Sequence, residues 1–115
     1  MTISVYSESS SPLGTSIYRF DGVNVPAQFI PTLLFSATQN KAGTNVNMRI
    51  HIEFPLVVTV DGITSAPNKF VCNVDFTALQ SVTNTTERVR VLDELIAFLT
   101  ANKARIASGS VRPVA

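Results

Sequence analysis

The stretch NMRIHIEFP, residues 47–55, decides how this chain folds. Met48, Ile50, Ile52 and Phe54 are apolar, and Asn47, Arg49, His51 and Glu53 alternate with them. Successive side chains on a β-strand point to opposite faces, so this period of two describes a strand with one greasy face and one face of donors and charge. The greasy face requires a core. The polar face requires either water or a partner.

Working outward, KFVCNVDFTA at 69–78 repeats the pattern. Phe70, Cys72, Val74, Phe76 and Ala78 fall on one face; Lys69, Val71, Asn73, Asp75 and Thr77 fall on the other. Between the two stretches, LVVTV extends the first strand past Pro55, whose missing N–H predicts a bend, bulge or edge. Asp61-Gly62 is a strong turn signal, and a loop is expected from Val60 to Asn68. Upstream, TLLFSATQ at 32–39 reads as a strand with Leu33, Phe35 and Ala37 as its apolar row and Leu34 on the opposite face. NKAGTN at 40–45 has turn composition. Residues 2–7 and TSIYRF at 15–20 read as an N-terminal hairpin across the polar turn SESSSPLG.

Downstream the period changes. Asn84 followed by Glu87 is close to a capping box. Leu92, Leu95, Ile96 and Leu99 follow at helical spacing, widened by Val91 and Phe98. Residues 103–108 predict a short second helix, stopped by Gly109 and Pro113. Strands followed by helices make an α+β fold, an antiparallel sheet covered on one face. One helix and a stub are little material to cover five strands. An intertwined dimer, each chain's helices lying on its partner's sheet, resolves the shortage.

The chain's 115 residues suit a single domain, 1–115. Apolar residues make up 45% and charged residues 15%, a globular composition. The net charge is +1 and the isoelectric point 7.9, below the value above about 9 typical of strongly basic nucleic-acid binders. Any polyanion must therefore meet local cations, or many copies acting together. The single cysteine, Cys72, excludes an internal disulfide. The single histidine, His51, excludes a His-His metal site, and no P-loop, dinucleotide-binding or nucleophile-elbow motif occurs. No catalytic residue, cofactor or metal is expected. MTISVYSESSS lacks the basic start and apolar run of a signal peptide, and no stretch approaches the ~20 apolar residues of a membrane span. The expectation is a soluble cytoplasmic protein.

The ordered set from residue 47 onward carries a family likeness: the alternating strand ending in Glu53-Phe54-Pro55, the segment VDGITSAPN, the N-V-D-F strand, the T-x-E-R start of the long helix and a short terminal helix. The chain resembles the coat proteins of the small single-stranded RNA bacteriophages, over roughly residues 30–110. The resemblance implies an N-terminal hairpin, a five-stranded antiparallel sheet and two C-terminal helices. It further implies interlocked homodimers that assemble into an icosahedral shell around viral RNA, with the loop 60–68 joining dimers. The setting is a virion assembled in the bacterial cytoplasm. It implies an RNA-facing polar sheet surface, on which Arg49, His51 and Asn73 match contact positions. Asn47 shares that surface, and Lys41 and Asn45 lie in or beside the preceding turn. The family also binds an RNA hairpin as a repressor of replicase translation, stacking a base on a tyrosine; the aligned residue here is Val71. Two other readings compete: a dimeric nucleic-acid-binding module that forms no shell, and a small α+β enzyme.

Overall fold

The alternation around residue 50 is realised in one antiparallel sheet whose strands follow chain order, β1 (Thr2–Ser7), β2 (Gly14–Asp21), β3 (Thr32–Gln39), β4 (Asn45–Val60) and β5 (Ile63–Leu79). The computed structural model describes residues 2–79 and 85–111. The N-terminal hairpin is not an appendage, since β1 and β2 are two of the five strands. Register settles the faces. Leu33 pairs with Ile52, Phe35 with Ile50 and Ala37 with Met48; across the next ladder Met48 pairs with Phe76, Ile50 with Val74 and Ile52 with Cys72. Directly opposed residues share a face, so these form one apolar surface. Leu34 lies on the other, opposite His51. Phe20 and Phe54 add an edge-to-face ring pair at 5.9 Å.

The segment expected as a loop, 60–68, is strand for all but its turn. Asp61 and Gly62 both have positive φ, 52° and 78°, the backbone of a type I′ turn, which matches the twist of the strands it joins. β5 therefore begins at Ile63, and Pro67 lies within it. Pro67 is tolerated because it sits in a bulge: Ala66 and Pro67 oppose the one residue Val57, where no ladder N–H is required. The bulge has a cause. A two-residue turn pairs odd positions with even ones, as in Val60 with Ile63. The polar rows Asn47–Glu53 and Lys69–Thr77 occupy odd positions. Without one extra residue, Arg49 would oppose an apolar side chain. With it, Arg49 pairs with Asp75. Pro55 pairs with Lys69 just before this irregularity, as its missing donor predicts.

Sheet and helices form two compact units. In the second, α1 spans Thr85–Ala101 and α2 Lys103–Ser108. Asn84, expected as the N-cap, and Pro113 lie outside the described residues. Asn102 joins the helices, its backbone and side-chain amides both donating to the Phe98 carbonyl at 3.0 and 2.8 Å. Gly109 closes α2 in the left-handed conformation, φ 71°. Its N–H donates to the Ile106 carbonyl and that of Ser110 to the Arg105 carbonyl, a Schellman closure that relieves orphan carbonyls. No helix among the described residues is long and apolar enough to cross a membrane.

Burial is sparse. Among the described residues Ala37 and Pro31 are buried. The α1 stripe stands largely open, with Ile96 61% and Leu92 40% exposed. Leu95 is half-buried.

Candidate nucleic-acid interface

The polar face of β4 is a ladder of side-chain pairs with β5. The Thr77 hydroxyl donates to Asn47 Oδ1 at 3.0 Å. Arg49 Nε donates to Asp75 Oδ1 at 2.6 Å, and its Nη2 reaches Oδ2 at 3.5 Å. His51 Nδ1 meets Asn73 Oδ1, and its Nε2 meets Glu53 Oε1 at 3.2 Å. Lys69 Nζ donates to the same Glu53 oxygen at 3.0 Å. The pairs exist because strand alternation brings the odd residues of β4 up to Pro55, and those of β5 beyond the bulge, to one side. At the Asn47 end, Ser36 and Thr38 of β3 join Asn47, Arg49, Asp75 and Thr77 around an open cleft of about 420 Å³.

The electrostatics are those of a paired surface. Asp75 holds the Arg49 guanidinium in its charged form, through the hydrogen bond first and charge second. Both ring nitrogens of His51 face oxygen acceptors, so only the imidazolium satisfies them together. Its pKa is accordingly raised, chiefly by Asn73 and then by Glu53. Glu53 is pushed below the usual carboxylate range by Lys69 first and His51 second. Arg49 cancels Asp75, and Lys69 cancels Glu53. When His51 is protonated, its charge is the surplus of the ladder.

Asn47, Arg49, His51 and Asn73 thus come together as one continuous patch. Asn45 opens β4 on the same side, but its Oδ1 is buried and unpartnered among the described residues. Lys41 is exposed in the turn between β3 and β4. There Asn40 organises the chain, its Oδ1 accepting from the N–H groups of Thr44 and Asn45. Asp75, Thr77, Glu53 and Lys69 were absent from the sequence-based site, although the odd-position period of KFVCNVDFT places three of them on that face. Val71 lies on it as well, opposite Glu53 and 39% exposed, so no ring occupies that place. Among the described residues no cluster of His, Cys, Asp and Glu offers a metal site.

The strand order, the polar ladder and the paired helices can be set beside known proteins. No family model and no curated protein matches the chain. Solved structures do. The chain forming the virus-like particle of bacteriophage AC is 54% identical, with a TM-score of 0.90 over 99% of this chain and 100% of that one. The chain belongs to the coat-protein family of the RNA bacteriophages. The virus-like particle of bacteriophage NT-391 is similar at 25% identity and TM-score 0.78, over 96% of this chain and 94% of that one. The capsid protein of bacteriophage GA shares the fold, at 18% identity and TM-score 0.61, over 92% and 83% of the two chains. The present coat protein is accordingly a structural component of a virion and not an enzyme. The expected plan of antiparallel sheet followed by C-terminal helices is the coat-protein fold.

Proposed function

We propose that this coat protein forms interlocked homodimers that assemble in the bacterial cytoplasm into an icosahedral shell around single-stranded viral RNA. The observation that carries the reading is the full-length likeness, at 54% identity, to a chain that forms a virus-like particle. The free surfaces support the dimer. β5 is a seventeen-residue strand that, among the described residues, is paired only on its β4 side, an edge open to another strand. The other edge, β1, is short and bulged between Val5 and Ser7, features that blunt pairing. The exposed stripe of α1 supplies the cover that a partner's apolar sheet face lacks. The ladder face then looks inward, with Asn47, Arg49, His51 and Asn73 toward RNA and Lys41 and Asn45 at its margin. The hairpin tip, 60–68, exposes Val60 and Ile63 at 64% and 71% and serves as the contact between dimers. With valine at 71, the ladder suits packaging of RNA in general better than selection of one hairpin.

Expression of the full chain followed by gel filtration and electron microscopy tests this. The expected product is a megadalton particle containing RNA. A species near twice 12.4 kDa at every salt and protein concentration refutes the shell and favours a free dimeric RNA-binding module.

A further inference from the structure

We infer that Tyr6 and Arg19 form a second RNA-contacting element, a stacking platform for an unpaired base at the β1 edge of the ladder face. The inference rests on the reading that this face meets RNA. Arg19 pairs with Thr32, and Thr32 with Glu53, so Arg19 is on the side of the sheet that carries His51 and Arg49. In β1, Ser4 pairs with Arg19, and the ladder skips Tyr6 between Val5 and Ser7. That bulge leaves Tyr6 without a cross-strand partner, and its ring is turned to the Arg19 side. The guanidinium carbon lies 3.7 Å from the ring centroid, a cation–π contact. The ring is costly to leave in water, yet Tyr6 is 59% exposed.

Charge separates this pair from the rest of the face. Arg49 is neutralised by Asp75 and Lys69 by Glu53. Arg19 makes no ion pair among the described residues, and Asp21, two positions along the same strand, is not bonded to it. A cation without a carboxylate, layered on an aromatic ring, offers a flat surface and a phosphate partner at once. Single-stranded RNA is held by that combination of base stacking and backbone charge. The platform sits on the strand edge opposite β5, where Val71 provides no ring.

The test uses the unassembled full-length protein and a labelled short oligoadenylate. Base–aromatic stacking of ordinary strength predicts that Tyr6→Ala weakens binding about tenfold, while Tyr6→Phe, which keeps the ring, stays within about twofold. Arg19→Lys keeps the charge and the salt slope but loses the planar layer, so it falls between them. Circular dichroism of each variant guards against misfolding. If Tyr6→Ala binds like the wild type while Asp75→Asn or His51→Gln shifts affinity, the platform is idle and the ladder reading stands. If none of Tyr6→Ala, Arg19→Lys, Asp75→Asn and His51→Gln shifts affinity, the reading of the face itself fails. If Tyr6→Ala abolishes particles with RNA affinity unchanged, the pair is a contact between copies and the inference is overturned.

Discussion

Arg49, an exposed cation on β4, is half of an ion pair with Asp75 of β5. Truncating it removes a contact and also uncovers a carboxylate. Arg49→Ala should therefore weaken RNA binding more than loss of one phosphate contact implies. Asp75→Asn should do the opposite, tightening binding and steepening its salt dependence, because a released guanidinium displaces further counterions. Filter binding of oligoadenylate across a salt series checks both, and an Asp75→Asn protein no tighter than wild type would sink the charge-pairing account. His51 adds a proton-dependent term. Its folded pKa is raised above the ordinary imidazole value of 6.5, so its stabilising hydrogen bonds are complete below that value. They fade as pH climbs through the raised one. Glu53 works in the other direction, its contribution present above the ordinary carboxylate value and fading as pH falls through the depressed one. Between these limits the thermal midpoint of wild type should exceed that of His51→Gln, with the gap narrowing as pH rises from the ordinary imidazole value through the raised one. RNA affinity should decline over the same interval. Parallel wild-type and variant curves contradict the assignment.

Among the elements, the β4–β5 hairpin shows how much could be read beforehand. The type I′ turn is written in Asp61-Gly62, and the polar faces are written in the odd positions of both strands. Taken together these facts demand a one-residue irregularity, and Pro67 marks where it falls. The sequence-based loop at 60–68 treated Pro67 as the end of irregular structure, when a bulge lets a proline stay inside a strand. Partners across the ladder were harder to see. Asp75 answers Arg49 only once the bulge sets the register, and no local signal announces that. Tyr6 was invisible for the same reason, since an unpaired residue on β1 breaks the alternation from which faces are read. The bulge makes a directional prediction. Deleting Pro67 turns the hairpin into a regular ladder with Arg49 still opposite Asp75, so the protein should remain soluble and folded while particles change or fail, through the altered tip. Deleting Val71 inverts one part of β5 against the other and should leave insoluble protein. Solubility and circular dichroism separate the two; an insoluble Pro67 deletion argues against the bulge as the register's source.

At the scale of the whole molecule, the decisive quantity is how little is buried. Side chains such as Leu92, Ile96 and Phe98 stand exposed on a chain whose described residues bury Ala37 and Pro31. Burial of an aliphatic side chain is worth roughly 1.5–3 kcal/mol, and one chain realises little of that. The proposed dimer predicts a melting temperature that rises with protein concentration, as mass action requires when the partner binds only the folded form. Ile96→Asp should abolish soluble folded protein, whereas Glu94→Gln on the same helix should not. A concentration-independent melt at the scale of 12.4 kDa contradicts the interlocked arrangement. The sparse interior also sets a clock. A chain that, as the proposed dimer implies, completes its fold only against a second chain folds by collision, so its half-time lengthens as chains grow scarce. A tenfold dilution of refolding chains should slow recovery of the native signal by about tenfold, where a self-sufficient domain would keep its pace. In a cell, the proposed dimer would then leave newly made chains unfinished until synthesis has supplied enough of them to meet.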